Sequence, residues 1–102
     1  MKLIAIEPIK SCESRKRCVI FFKAVDHNGD LVRGKDVQIC KVVDGKHQLC
    51  RKRRYRKGLF RRRVGGRHKA ASFTSGEWVC EMKVRSTGQH VVSEPGVKVT
   101  VV

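Results

Sequence analysis

The fold is decided by the stretch Arg17-Cys-Val-Ile-Phe-Phe-Lys-Ala-Val25. Successive side chains of an extended chain point to opposite faces, so the even-numbered residues share one face and the odd-numbered residues share the other. All even-numbered residues here are apolar, and the odd-numbered face is apolar except for Arg17 and Lys23. A run that is apolar on both faces is typical of a central β-strand in a sheet that is covered on both sides.

Three further stretches repeat this period of two: residues 37–43, 77–85 and 97–102. No stretch offers a helical repeat over three turns, and turn signals separate the runs at the short spacing of β-sandwiches. Asn28-Gly29 is the strongest turn signal, because a type I′ hairpin needs positive φ at both positions. We therefore expect an all-β domain of about seven or eight short strands. Trp78, the only tryptophan, is predicted to lie at the centre of its core, packed against Phe22 and the strand at 97–101.

A longer motif carries a resemblance. Its order is a strand, an Asp-x-Asn-Gly turn, x-Val-x-Gly and a Val-rich strand. It is found in the segment Val19-Ile-Phe-Phe-Lys-Ala-Val-Asp-His-Asn-Gly-Asp-Leu-Val-Arg-Gly-Lys-Asp-Val-Gln-Ile39. Together with Gly58, Gly76-Glu-Trp-Val-Cys-Glu-Met-Lys-Val84 and the closing Val-x-Val-x-Val strand, it resembles bacterial immunoglobulin-like domains of the invasin and intimin type. The resemblance covers most of the chain and implies an immunoglobulin-like antiparallel β-sandwich that serves as a stalk, adhesion or docking module. Similar domains decorate bacteriophage virions.

The positive charge of the chain is concentrated in one segment. The chain has 102 residues, 24 of them Lys or Arg and 9 Asp or Glu, for a formal net charge of +15. This length suits one domain, residues 1–102. Half of the basic residues lie in segment 46–69, which contains no acidic residue. We expect this basic segment to form a long hairpin, with Gly58 near its tip, or a loop.

The basic segment is the strongest functional signal, because clustered cations repel one another unless an anionic partner relieves the repulsion. Arg outnumbers Lys in it, and guanidinium groups bind phosphate and carboxylate bidentately. Its two aromatic residues would supply stacking faces or apolar anchors. The residues predicted to contact the anionic partner are Arg51, Lys52, Arg53, Arg54, Tyr55, Arg56, Lys57, Phe60, Arg61, Arg62, Arg63 and Arg67. The simpler alternative is a solvated, charged edge that discourages aggregation.

We expect a non-catalytic protein without cofactors, because the sequence shows no nucleophile motif and no paired carboxylates for acid–base chemistry. The favoured hypothesis is a structural or docking module of a larger assembly, such as a capsid decoration or tail protein of a phage virion, that contacts an acidic protein surface. The alternative is a small nucleic-acid-binding protein that contacts phosphates through the same segment, with RNA and DNA equally open. A third hypothesis is an inhibitor that docks on an acidic surface of a host enzyme. Pairing between subunits through edge strands also stays open.

The cysteines and histidines give weaker signals. None of the five cysteines has the two-residue spacing of zinc knuckles or redox motifs, so we expect reduced, mostly structural thiols and no bound metal. A zinc site of Cys50, His47 and His68 is the lesser alternative, because it offers three ligands at irregular spacing. Residues 26–30 resemble the opening of a calcium loop, but their glycine stands at the fourth position, and a hairpin explains them as well.

The start of the chain indicates where the protein is made. Its apolar run is too short for a secretory signal, and no run is long enough to span a membrane. We expect cytoplasmic synthesis and no membrane contact, with the virion as the alternative final location.

Overall fold

Nine strands make up the described part of the chain. The computed structural model describes residues 2–13, 16–30, 37–54, 59–65, 75–83 and 88–102. The strands are β1 (Lys2–Ala5), β2 (Ile9–Cys12), β3 (Cys18–Val25), β4 (Val37–Val43), β5 (Lys46–Arg53), β6 (Phe60–Gly65), β7 (Gly76–Lys83), β8 (His90–Val92) and β9 (Val97–Val101). The prediction of an all-β fold is confirmed. None of the described residues belongs to a helix that is long and apolar enough to cross a bilayer.

The strands form two sheets that face each other as a sandwich. The small sheet has the order β1-β3-β6, and the large sheet has the order β2-β9-β7-β4-β5, with β8 paired to β7. All described pairs are antiparallel, as predicted, except β2 and β9, which are parallel. The reason is that the chain leaves the small sheet after β1 and joins the large sheet as β2. The N-terminal stretch thus supplies two strands, one to each sheet.

The core lies between the sheets and follows the alternation of the sequence. Trp78 is completely buried, as predicted, and shares the core with Phe22 and Val97, the latter its register partner on β9. The inner face of β3 is formed by Cys18, Ile20, Phe22 and Ala24. Each of these four residues is at most 5% exposed, so this face of the apolar stretch 17–25 is covered, as the sequence predicts.

The Asn28-Gly29 turn does not close a hairpin, and this prediction is wrong. Strand β3 lies in the small sheet and β4 in the large sheet, so the chain crosses between sheets after the turn. Gly29 has φ +82°, whereas Asn28 does not have positive φ. The carboxylate of Asp26 instead accepts hydrogen bonds from the backbone N–H groups of Asn28 and Asp30, at 2.8 and 3.0 Å. The two-residue hairpin of type I′ lies at Asp44-Gly45, where both φ angles are positive and β4 turns into β5.

The basic segment is not a hairpin either. Its first arm is β5, which pairs with β4 in the large sheet, and its second arm is β6, which pairs with β3 in the small sheet. The segment therefore crosses from one sheet to the other, because each arm completes the edge of a different sheet. The expected tip at Gly58 lies outside the described residues.

Four of the five cysteines form disulfides, which corrects the expectation of reduced thiols. Cys12 at the end of β2 is bonded to Cys18 at the start of β3, and Cys40 in β4 is bonded to Cys50 in β5. Sequence spacing does not reveal these pairs, because only the fold brings the strands together. Cys80 is a free, buried thiol, as expected.

Candidate anion-binding groove

A β-bulge in β5 decides which way the basic side chains point. Lys41 is paired with Gln48 and Ile39 with Arg51, so one residue more lies on β5 than on β4 between these pairs. Leu49, with φ +53°, adopts the left-handed conformation at this irregularity. Beyond the bulge, Arg51 and Arg53 lie opposite Ile39 and Val37, the inward-facing residues of β4. Without the extra residue they would share the outer face of the large sheet.

Strand β6 presents its arginines by simple alternation. Arg61 is paired with Phe21 and Arg63 with Val19, and these residues lie on the outer face of the small sheet. Both arginines are exposed, whereas the residues that alternate with them, Phe60, Arg62 and Val64, are buried. The outer face of this edge strand is therefore cationic.

A groove of about 250 Å³ lies where β5, β6 and the start of β3 meet. Its lining consists of Arg17, Val19, Arg51, Arg53, Arg61 and Arg63. It is smaller and far more polar than the apolar pockets of roughly 300–1,000 Å³ that hold most small-molecule ligands. Five guanidinium groups without a carboxylate form a site for phosphate, sulfate or carboxylate oxygens, which they bind bidentately.

The cations of the groove have no acidic counterions among the described residues. None of the five lining arginines forms an ion pair with an acidic residue of the described chain. The Nε–H of Arg53 is buried and has no acceptor among the described residues. A buried donor without an acceptor costs about 1–3 kcal/mol, and an anion bound within reach of this Nε–H would remove that cost. The groove is therefore an electrostatically unsatisfied surface.

Arg62 and Phe60, both predicted as contact residues, are buried in the structure. Phe60 is completely buried in the core, and Arg62 is 6% exposed. Nη1 of Arg62 donates to the backbone carbonyls of Ile39 and Leu49, which ties the small sheet to the edge of the large sheet. Burial, followed by the nearby charges of Arg51 and Arg53, lowers the pKa of Arg62 to about 10. Arg62 thus acts as a structural cation next to the groove.

The other predicted contact residues divide into two groups. Lys52 and Arg54 are exposed but do not line the groove, because Lys52 lies opposite Gln38 on the outer face of the large sheet and Arg54 follows the end of β5. The remaining predictions lie outside the described residues: Tyr55, Arg56, Lys57 and Arg67.

Arg17 is the groove residue that the sequence analysis missed. It lies outside the basic segment and comes directly before β3. Its odd number places it on the same face as Val19 and Phe21, a pattern that is visible in the sequence. The sequence does not show the pairing of β3 with β6, which brings this face beside Arg61 and Arg63.

Comparison of the sequence with known protein families and with curated proteins gives no match.

Proposed function

We propose that this chain is a non-catalytic docking module, an immunoglobulin-like β-sandwich that joins a larger assembly by binding an acidic protein surface in its arginine groove. The observation that carries the proposal is the convergence of five arginines from three parts of the chain on one groove without carboxylates. Two of them come from β5, two from β6, and Arg17 precedes β3. A merely solvated edge would not need this convergence.

The construction of the groove supports docking. Two edge strands from different sheets carry its arginines, and Arg62 ties these strands together through the carbonyls of Ile39 and Leu49. Because the strands that carry the arginines are held together, binding needs no rearrangement of the backbone, which favours a fixed surface as partner.

The disulfides support a place in a particle. Disulfides persist in virions and at cell surfaces and are rare in resident cytoplasmic proteins. A virion accessory protein, made in the cytoplasm and oxidised in the released particle, is the concrete form of this proposal.

The test compares two double variants of the same strand region. Arg51→Gln/Arg53→Gln removes two charges from the groove, and Lys52→Gln/Arg54→Gln removes two from its surroundings. We expect the groove variant to lose at least tenfold in affinity for polyglutamate, measured by fluorescence anisotropy, and to drop out of particles purified from the native source. The control should stay within about threefold of wild type. Equal losses in both variants would refute the groove as the docking site.

Nucleic acid is the second candidate partner, favoured by the predominance of bidentate Arg. The burial of Phe60 removes one predicted stacking face, so the groove itself offers phosphate contacts rather than base contacts. If five phosphates are neutralised, the logarithm of the affinity for duplex DNA should fall with the logarithm of salt concentration with a slope of about −4.5. Strong duplex binding with this slope and no polyglutamate binding would replace the first proposal with the second.

A further inference from the structure

Apart from the arginine groove, a cluster of side chains that could bind a metal ion lies on the outer face of the large sheet. Oε2 of Glu81 lies 2.8 Å from Nδ1 of His47, and Oε1 of Glu81 lies 3.9 Å from Sγ of Cys40. One donor atom from each of these three residues lies within 4.8 Å of the other two. Gln38 donates a hydrogen bond to Glu81 and fixes the orientation of its carboxylate.

The strand register explains why these residues meet. Gln38 is paired with Glu81, and Cys40 follows Gln38 on the same face of β4, while His47 is paired with Val42 on that face. The bulge at Leu49 turns Cys50 onto the face of Cys40, to which it is bonded. Four potential metal ligands of three chemical kinds are therefore gathered: two sulfurs, one imidazole nitrogen and one carboxylate.

The distances suit a tetrahedral ion. Zinc bonds of about 2.0–2.3 Å place neighbouring ligand atoms about 3.3–3.8 Å apart. The distances of 2.8 and 3.9 Å from the Glu81 carboxylate to His47 and to Cys40 bracket this range, one below it and one above it. Glu81 itself is 7% exposed, and among the described residues its carboxylate contacts the imidazole of His47. A divalent cation would supply the charge that a buried carboxylate requires.

We propose that the reduced protein binds one Zn²⁺ through Cys40, Cys50, His47 and Glu81, and that the Cys40–Cys50 disulfide is the oxidised, metal-free form of the same site. Two molecules of a thiol reductant open the disulfide: the Cys40–Cys50 bond breaks, the reductant becomes its own disulfide, and both cysteines become thiols. Zinc then binds the two thiolates and displaces one proton from each thiol. Gln38 is a positioning residue of this site. Arg51 and Arg53 point to the opposite side of β5, so the site is independent of the groove.

The proposal is tested with Co²⁺ as a spectroscopic probe. Protein reduced with a dithiol and freed of it under anaerobic conditions should bind one Co²⁺ per chain. The complex should show thiolate-to-cobalt charge transfer and the intense visible bands of tetrahedral cobalt, and Zn²⁺ should displace the cobalt. Oxidised protein should show neither band. Absence of a thiolate–cobalt band in reduced, folded protein would overturn the proposal, as would equal binding by the oxidised form.

Single variants assign the ligands. Cys50→Ser and Glu81→Gln should each weaken Co²⁺ binding at least tenfold and alter the spectrum. His47→Gln should do the same, and because this side chain is about one-third exposed, the variant keeps the fold and remains informative if the others do not. Cys80→Ala is the matched thiol control, since Cys80 lies in the core on the opposite face of β7 and should leave binding unchanged. Unchanged binding in His47→Gln, or loss in Cys80→Ala, would contradict the assignment.

Discussion

The guanidinium carbon of Arg62 lies 4.7 Å from the centre of the Trp78 ring, so a buried cation covers the only tryptophan of the chain. This contact places a cation–π interaction at the point where β6 meets the large sheet. The guanidinium group also donates to carbonyls of β4 and β5, so this side chain of β6 contacts three strands of the large sheet.

Replacing Arg62 should therefore destabilise the sandwich, although Arg62 lies within a predicted contact segment. Arg62→Ala leaves two carbonyls without their donor and opens a cavity beside Trp78, for an expected loss of about 2–4 kcal/mol in unfolding free energy. Arg62→Met keeps most of the packing, so its unfolding free energy should fall less than that of Arg62→Ala. Chemical denaturation, followed by Trp78 fluorescence, measures both. A change below about 0.5 kcal/mol in Arg62→Ala would show that Arg62 is a surface residue.

A folded groove and a linear basic segment predict different effects for Arg17. This residue lies far from the basic segment in sequence but lines the groove, whereas Arg54 lies within the segment and does not. Arg17→Gln should weaken binding to the anionic partner about as much as Arg51→Gln, and Arg54→Gln should have a smaller effect. Affinity for polyglutamate at low salt measures the difference. If Arg54→Gln has the larger effect, the segment binds as a charged chain and the groove is not its contact site.

The sequence predicts the strands better than it predicts their partners. The alternation at 37–43 coincides with β4, and the burial of Trp78 follows from its position in β7. In β6, the alternation already separates Phe60, Arg62 and Val64 from Arg61 and Arg63, but the charge of Arg62 conceals its inward position. The contact of His47 with Glu81 spans 34 residues and depends on two strand pairings and a bulge. Such contacts depend on tertiary pairing, which local pattern does not specify.

The Cys12–Cys18 disulfide should contribute measurably to stability. It joins the edge of the large sheet to the central strand of the small sheet and closes a loop with a sequence separation of 6. Chain entropy predicts that its removal, in Cys12→Ser/Cys18→Ser, costs about 2–3 kcal/mol in unfolding free energy. A thiol titration of the unfolded, unreduced wild-type protein counts the cysteines that are not in disulfides and should find one reactive thiol per chain. Five reactive thiols would contradict both disulfides.

The buried thiol of Cys80 should make stability fall at alkaline pH. Burial, and secondarily the charge of Glu81, raises the pKa of Cys80 from 9.0 to about 12. Between these values the unfolded chain has lost the proton that the folded chain keeps, so the stabilisation is complete below pH 9 and declines above it. The decline is about 1.4 kcal/mol per pH unit. Chemical denaturation of wild type and Cys80→Ala between about pH 8 and 10.5 isolates the contribution of this thiol to the pH dependence of the unfolding free energy. If the unfolding free energies of the two proteins change in parallel with pH, the thiol titrates normally.

Leu49 tests the bulge on which both sites depend. Its φ of +53° is a conformation that glycine adopts freely and β-branched residues avoid. Leu49→Gly should raise the unfolding free energy by about 0.5–1 kcal/mol, because the side chain is half exposed and little apolar burial is lost. Leu49→Val should lower it by about 1 kcal/mol or more for the same reason of backbone strain. The thermal unfolding midpoint should therefore be highest with Gly at position 49, intermediate with Leu and lowest with Val. The reverse order, as expected for an extended strand, would mean that no bulge turns Arg51 toward the groove and Cys50 toward Cys40.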